Sequence, residues 1–216
     1  MGYQLSALIV SRLTAYDLPT YRLPYHPPVD TSASIWQGER VRLRAIEPSD
    51  WEAYFAWNQD DEQARRVSNI PFPQSAEAVR QWAQQEATRK REGDAFRFVI
   101  ENETGEVVGD LTTHNCDARV GSFSYGITIR REHRRNGYAA EAITLVLRYY
   151  FRELRYQKAT VTVFSFNEVS ARLHEKLGFQ LEGRIRRAQF TEGALHDELI
   201  YGITAEEFAA GGGVTG

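Results

Sequence analysis

The chain has 216 residues, a formal net charge of −3 at pH 7 and one cysteine. A chain of this length can fold as one domain with a short appendage, without disulfides or metal to hold its core. The single cysteine excludes a disulfide framework and a multi-cysteine zinc site, and the acidic balance argues against a generally basic nucleic-acid binder. We expect no membrane span, since no apolar run approaches the ~20 residues that a bilayer requires. We expect a cytoplasmic protein, since no export signal is visible.

Residues 1–37 differ in composition from the rest of the chain. They contain four of the seven prolines and four tyrosines, and prolines at this density block a long helix or a central strand. We predict an N-terminal arm with one short strand near residues 5–13. The arm would pack on its own domain or on a neighbouring subunit, and we expect it to help form a homodimer. The folded domain is predicted over 38–209 and a flexible tail over 210–216.

The first half of the domain is predicted to form a strand, two helices and three further strands. Alternating apolar residues indicate each strand, and apolar residues at helical spacing indicate each helix. Ser49, followed by Glu52, predicts a capping box at the start of the first helix. The predicted elements are a strand from Val41, a helix from Ser49, a helix from Ser75 to about Arg91, and strands over 96–101, 106–113 and Ser122–Ile129.

The second half is predicted to alternate between helix and strand. Ala139, Ile143, Val146, Leu147 and Tyr150 recur at helical spacing and define an amphipathic helix. The next elements are a strand over 159–164, a helical stripe of Val169, Leu173 and Leu177 that ends at Gly178, and two strands near 179–190 and 196–203. The order β-α-α-β-β-β-α-β-α-β-β predicts one mixed sheet with helices on its faces.

Residues 130–139, RREHRRNGYA, lie between a predicted strand and the strongest predicted helix. Gly137 lets the backbone approach a ligand closely, and the first N–H groups of the helix have no intrahelical partners. Four arginines in the same segment favour phosphate. The segment predicts an anion site suited to a pyrophosphate, and a solvated arginine-rich loop is the alternative. A Walker loop and a dinucleotide fingerprint are excluded, because their glycine patterns are absent.

Two segments resemble the GNAT acyltransferases, which bind acetyl-coenzyme A. Residues 134–139, RRNGYA, resemble the R/Q-x-x-G-x-G/A pyrophosphate loop of that family, and residues 167–179, NEVSARLHEKLGF, are similar to its N-x-x-S…L-G-F segment. The resemblance covers about residues 38–209 and is nearest to the ribosomal-protein N-terminal and spermidine acetyltransferases. It implies an α+β fold with one mixed, mostly antiparallel sheet, splayed central parallel strands and flanking helices.

The resemblance also implies where acetyl-coenzyme A binds. Backbone groups of Ile127 and Ile129 would bond the pantetheine between the splayed strands. Asn167 would bond the pantetheine arm, and it is also a suitable helix N-cap. No metal is expected. The residues implied to hold the pyrophosphate are Arg134, Arg135, Asn136, Gly137, Tyr138 and Ala139.

The implied reaction is direct attack of a neutral amine on the thioester, which requires a base, an oxyanion site and an acid for the leaving thiolate. Backbone N–H near Ile127 would stabilise the oxyanion. Ser170 and His174 are the implied acids, and they lie at i and i+4 on one helix face. Ser124 stands where relatives often carry an acidic base, so Glu141, acting through water, is the candidate base. The other polar candidates are His114, Asp110 and Glu62.

The predicted acceptor is a small amine or a peptide N-terminus, bound between the first two helices and the last strands. The absence of a dominant acidic cluster weakens a polyamine acceptor. A non-catalytic coenzyme-A-binding or sensor module is the first alternative, because of Ser124. A nucleic-acid binder using 130–135 and 184–187 is the second. The predicted wall residues are Trp57, Asn58, Glu62, Phe72, Arg97, Asp197 and Tyr201.

Overall fold

The computed structural model describes residues 30–211. The predicted strand over 5–13, most of the arm and most of the tail lie outside the described residues, and so does the arm's predicted part in a homodimer. The described elements are β1 Val41–Arg44, α1 Trp51–Trp57, α2 Asp61–Val67, α3 Ala76–Thr88, β2 Arg97–Asn102, β3 Val107–Asp117, β4 Ser122–Ile129, α4 Tyr138–Arg152, β5 Lys158–Phe164, α5 Glu168–Lys176, β6 Gln180–Thr191, β7 Ala194–Thr204 and α6 Ala205–Ala210.

The strands form a single mixed sheet in the order β1-β2-β3-β4-β5-β7-β6. Every pair is antiparallel except β4 and β5, which are parallel. Their pairing extends only from Ser122↔Lys158 to Ser124↔Thr160. Beyond Ser124 the two strands separate, although each remains paired with its other neighbour. The predicted α+β class and the splayed central parallel strands are confirmed.

Helix α4 covers one face of the sheet, and its predicted apolar stripe is confirmed. Tyr150 stacks on Phe123 of β4 with ring centroids 4.2 Å apart. The hydroxyl of Tyr150 also lies 2.7 Å from that of Thr113 on β3, so the helix is held to the sheet by a buried polar contact as well as by apolar packing. The buried residues of α4 are Tyr138, Ala142, Ile143, Leu145, Val146, Leu147 and Tyr150.

Helices α1 and α3 pack on the opposite face. Tyr54 of α1 and Val79 and Ala83 of α3 form a second buried cluster with Ile46 and with Val99 of β2. The sheet is therefore covered on both sides, and α2 follows α1 on this second face. The opening between β4 and β5 lies at the centre of the sheet, between the helices that cover its two faces. A ligand in this opening can contact backbone groups along the unpaired edge of a strand.

The start of the first helix differs from its prediction. A short 3-10 turn, Pro48–Asp50, precedes α1, and the capping box is formed by Glu47 and Asp50 rather than by Ser49 and Glu52. The Asp50 carboxylate also pairs with Arg44. A buried ion pair thus holds the turn before α1 in place. This tertiary contact outweighs the local preference of Ser49 for the capping position.

Two short helices were missing from the sequence prediction. Helix α2 buries only Gln63, so it carries no apolar periodicity, although Asp60 caps it and basic residues occupy its last turn. Helix α6 follows a capping box of Thr204 and Glu207, which was a readable signal. In α5 the predicted stripe is partly wrong, because Val169 is 66% exposed and His174 is buried instead.

The packed part of the chain reaches into the segment predicted as an arm. Trp36 lies with its ring centroid 4.8 Å from that of Phe98 and 4.5 Å from that of Tyr149. Its indole covers the edge of the cluster beneath α4. Among residues 30–211, no helix combines the length and the apolar character that crossing a bilayer would take.

At Gly109 of β3, the neighbouring strand β4 comes too close to leave room for a side chain. A Cβ at Gly109 would collide with the backbone carbonyl of Thr128 on β4, whereas a Cβ at Gly126 would meet nothing within 4 Å. We expect Gly109→Ala to lower the free energy of unfolding by about 1–3 kcal/mol. We expect the control Gly126→Ala to change it by less than about 0.5 kcal/mol. Urea denaturation measures both, and equal effects would contradict the collision.

Candidate active site

The β4 edge that faces the opening carries backbone groups without a strand partner. The Arg130 N–H donates to the Val108 carbonyl of β3 at 2.9 Å. Hydrogen-bonded and non-hydrogen-bonded pairs alternate along an antiparallel ladder, so Thr128 bonds β3 while Ile127 and Ile129 direct their N–H and C=O groups to the other side. Beyond Ser124 no β5 residue pairs with that side. The two isoleucines thus present backbone groups where the resemblance implied them.

The loop between β4 and α4 has the backbone shape of an anion site. Arg135 and Gly137 both have left-handed backbone conformations, with φ of 70° and 83°. The first helical bond runs from the Glu141 N–H to the Gly137 carbonyl. The preceding N–H groups, including those of Tyr138 and Ala139, therefore have no helical partner among residues 30–211 and lie at the positive end of the helix. The Tyr138 side chain is buried, so this residue offers its backbone to a ligand.

The arginines of the loop are divided between two tasks. Arg131 pairs with Asp60 at 2.7 Å and with Glu62 at 2.9 Å, both from the α2 region. Arg134 donates to the Gln63 side chain at 3.1 Å and to the Ile129 carbonyl at 3.3 Å. Burial, reinforced by nearby arginines, lowers the pKa of Arg134. Arg131 and Arg134 therefore connect α2 to the loop. The sequence did not predict this connection because it did not predict α2.

Two other arginines near the loop have no acidic partner within the described part of the chain. Arg135 is exposed, and Arg40, just before β1, places its guanidinium beside Gly137, where a Cβ would collide with Nη1. Asn136 is exposed and its side-chain amide donates to the His133 carbonyl at 3.2 Å. Both free guanidinium groups are thus available to a phosphate, and Arg40 had not been predicted because it is distant in sequence.

Glu141, predicted as a base, is engaged elsewhere. Its carboxylate accepts the backbone N–H groups of Glu39 at 2.6 Å and Arg40 at 2.9 Å. Gly38 leaves room for this contact, since a Cβ there would meet the carboxylate. Glu141 thereby holds the chain before β1 against the first turn of α4, and this placement does not favour a role at the thioester.

His174, predicted as an acid, lies in the core with 0% exposure. Its Nδ1 is 2.8 Å from the Ser170 carbonyl, and because a carbonyl can only accept, Nδ1 carries the proton. The remaining atom, Nε2, is buried without a partner among the described residues. Burial lowers the pKa of His174, and the ring packs 5.1 Å from Phe179. A neutral core histidine does not favour the implied proton-donor role.

Ser170 and Asn167 lie at the start of α5, beside the end of α2. Asn167 caps α5 through the Ser170 N–H, and its side-chain amide donates to the Arg66 carbonyl at 3.2 Å. The Ser170 hydroxyl is half-buried and lies 3.4 Å from Nδ1 of His174. Asn167 thus performs its capping role and also joins the two helices across the opening, while Ser170 is the more accessible of the two predicted acids.

A cavity of about 210 Å³ lies on the α1–α2 side of β4. Two predicted wall residues line it, Trp57 and Asn58. Phe72 is instead 92% exposed, and Glu62 is held by arginines. The other three are paired elsewhere: Arg97 with Asp110, Asp197 with Arg184, and Tyr201 with Glu175. The principal lining residues are Trp57, Asn58, Gln63, Val67, Asn69 and Thr128.

Asp110 does not line this cavity, but its carboxylate lies opposite Thr128, which does. The two residues are partners in the β3–β4 register, so their side chains lie on the same face of the sheet, and the Asp110 carboxylate accepts from Arg97 at 2.8 Å. Burial raises the pKa of Asp110, and Arg97 offsets part of that rise. The β3 strand therefore supplies a carboxylate beside β4, where Ser124 replaces the acidic residue that many relatives carry. Among residues 30–211, no cluster of three metal-binding side chains occurs.

The comparisons agree with this geometry. The model of the acetyltransferase (GNAT) domain matches residues 40–180, and the chain belongs to the GNAT family of acetyltransferases. It is an N-acetyltransferase, and its family uses acetyl-coenzyme A.

Relatives support the same assignment. The chain is 41% identical over 177 residues to YokL, an uncharacterized N-acetyltransferase from a Bacillus subtilis prophage, covering 82% of this chain and 97% of YokL. It is 34% identical over 170 residues to the B. subtilis N-acetyltransferase YoaA, covering 78% and 96%. The fold is similar to that of a Vibrio cholerae spermidine N-acetyltransferase solved with CoA and spermine, with a TM-score of 0.69, 21% identity and coverage of 80% and 99%.

Buried His174 makes the stability depend on pH. Its folded-state pKa lies below the ordinary value of 6.5, so the unfolded chain binds this proton more readily. The contribution is complete above about pH 6.5 and is lost as the pH falls, by up to about 1.4 kcal/mol per pH unit.

We expect His174→Phe to remove this part of the decline between pH 7.5 and 5.5, whereas His114→Gln, at an exposed histidine, should retain it. Urea denaturation at both pH values measures the slopes. An unchanged slope in His174→Phe would contradict the neutral buried state.

Proposed function

We propose that the protein transfers the acetyl group of acetyl-coenzyme A to a primary amine, a small amine or a peptide N-terminus, by direct attack in a ternary complex. The observation that carries the proposal is the loss of β4–β5 pairing after Ser124, immediately before the Gly137 loop. A strand edge with free backbone groups leads there into a free helix N-terminus. An extended thiol-bearing arm ending in a diphosphate is complementary to both.

The cofactor assignments follow from the groups left without partners. Ile127 and Ile129 offer backbone groups to the pantetheine, in the manner of an added strand. The N–H groups of the 134–139 loop hold the pyrophosphate, with Arg135 and Arg40 as free cations beside it. Asn167, at the α5 end of the opening, is the exception: it caps α5 and donates to the Arg66 carbonyl, and its amide has a second N–H to offer the pantetheine arm.

The acetyl transfer is assigned to three groups. The backbone N–H of Ile127 stabilises the oxyanion as the amine nitrogen bonds the carbonyl carbon. Asp110 accepts the amine proton through Thr128 or a water molecule, since its raised pKa makes it a stronger base than an ordinary aspartate. When the C–S bond breaks, the Ser170 hydroxyl or solvent protonates the leaving thiolate. We prefer Asp110 to Glu141 because the Glu141 carboxylate is occupied by two backbone donors.

The two alternatives have less support. A coenzyme sensor was suggested by the missing carboxylate at Ser124, and Asp110 supplies a carboxylate on the neighbouring strand. A nucleic-acid surface would need free cations in both basic runs, yet Arg131 pairs with Asp60 and Arg184 pairs with Asp197.

The base assignment is tested by comparing Asp110→Asn with Glu141→Gln. We expect Asp110→Asn to lower kcat at least about 100-fold with the acetyl-coenzyme A Kd nearly unchanged, and to remove the acidic limb of the wild-type pH profile. Glu141→Gln should instead weaken stability or cofactor binding and retain kcat. Steady-state kinetics with free-thiol detection and calorimetry measure these values. The reverse pattern would assign the base to Glu141.

The anion loop is tested by Gly137→Ala, with Gly193→Ala as control. Both glycines have φ above 70°, so both substitutions carry similar backbone strain of about 1 kcal/mol. Only Gly137 adjoins Arg40 and the free N–H groups. Calorimetry should find acetyl-coenzyme A bound at least tenfold more weakly by Gly137→Ala and equally well by Gly193→Ala. Equal affinity in all three proteins would remove the loop from the cofactor site.

A further inference from the structure

We infer that the cavity lined by Trp57 and Thr128 is the acceptor subsite, and that it selects an amine with a carbonyl or carboxylate oxygen beside the amino-bearing carbon over a polyamine. The inference rests on the proposed acetyl transfer in the adjoining opening and adds the chemical class of the acceptor. The α-amino carbonyl group is shared by free amino acids, amino acid amides and peptide N-termini.

Buried hydrogen-bond donors are in excess around the end of α1. The indole Nε1 of Trp57, the hydroxyl of Tyr54 and the Nε of Arg130 are all buried without a hydrogen-bond partner in the described part of the chain. The Tyr54 and Trp57 rings lie 4.6 Å apart, and the Arg130 guanidinium lies 5.9 Å from the Trp57 ring centre. One of these donors therefore belongs to a side chain of the cavity wall, Trp57, and the other two belong to residues packed against it.

Unsatisfied buried donors favour an occupant that brings acceptor atoms. Leaving such a group without a partner costs about 1–3 kcal/mol, and a carbonyl or carboxylate oxygen would recover part of that cost. A protonated polyamine carries N–H donors and positive charge and no acceptor, so it could satisfy none of them. Donor and acceptor complementarity thus favours an oxygen-bearing amine.

The charges around the cavity favour the same choice. Every residue that lines it is uncharged. The Arg134 guanidinium donates to Gln63 of this wall at 3.1 Å, and the Arg130 guanidinium, which also pairs with Glu132 at 3.0 Å, lies 5.9 Å from the Trp57 ring centre. The carboxylates of Asp60 and Glu62 are already paired with Arg131. Asp110 also has a cationic partner and is assigned to a single amine. A second or third ammonium group of a polyamine would find no free carboxylate on this wall.

The position of the cavity suits one amino group. Thr128 lines it and lies next to Ile127, whose backbone N–H is assigned to the oxyanion. Thr128 lies directly opposite Asp110 in the β3–β4 register, so the two side chains are neighbours on one face of the sheet. An amine placed at Thr128 would therefore have its base and the thioester within reach, while the neighbouring oxygen of the same molecule would be directed to the Trp57 side.

The test compares matched acceptors with the full chain and saturating acetyl-coenzyme A. Alaninamide and 2-aminobutane have similar size and differ in the carbonyl group, spermidine represents polyamines, and alanine and an alanine-led peptide distinguish a free amino acid from a peptide N-terminus. We expect kcat/KM for the best oxygen-bearing acceptor to exceed that for both 2-aminobutane and spermidine at least tenfold. Equal or higher values for spermidine or 2-aminobutane would overturn the inference.

The variant Trp57→Phe keeps the aromatic ring and removes the N–H. We expect it to raise KM for the oxygen-bearing acceptor about tenfold more than KM for 2-aminobutane, and to retain the acetyl-coenzyme A Kd. Trp51→Phe, on the same helix but away from the cavity lining, is the matched control. An equal effect of Trp57→Phe on both acceptors would overturn the donor role.

The substrate comparison on the unmodified chain stands even if the variant folds poorly. Binding of acetyl-coenzyme A without transfer to any acceptor would overturn the proposed function, and this inference with it. Transfer that prefers spermidine would overturn the inference alone.

Discussion

The structure depends on one constraint, the incomplete pairing of the two parallel strands at the centre of the sheet. After three residue pairs, β4 and β5 separate, although both are anchored on their outer sides by β3 and β7. Backbone N–H and C=O groups are strong hydrogen-bonding groups that native structures rarely leave without a partner. An edge that opens inside the sheet is therefore a binding feature, and the loop, α4 and α5 are arranged around it.

Helix α2 connects the two ends of this site through polar contacts rather than through a hydrophobic face. Arg131 and Arg134 join it to the phosphate loop, and Asn167 joins it to α5. The same helix lines the cavity beside Thr128. Single exposed ion pairs contribute little stability, about 0–1 kcal/mol, but Arg131 contacts two carboxylates at once. The cofactor loop and the acceptor cavity thus share one short helix.

Residues at positions that suggest catalysis can instead have structural roles. Glu141 lies in the first turn of α4, where a carboxylate suits the helix dipole, and the structure uses it to hold the chain before β1. His174 occupies an implied acid position, yet its Nδ1 proton is committed to a carbonyl of its own helix. Asp110, in contrast, lies on β3 and reaches the site only because the register places it opposite Thr128.

The sequence by itself determined the local elements and the family. Alternation and helical spacing predicted all seven strands found in residues 30–211 and helices α1, α3, α4 and α5. The 134–139 loop with the N-x-x-S segment identified the family, because these signals lie between near neighbours in the chain. Only the tertiary structure decided which polar groups converge. The contact of Arg40 with Gly137, the links of α2 to the loop and the pairing of Asp110 with Thr128 join distant segments. Such contacts depend on sheet register and helix packing, which local periodicity does not encode.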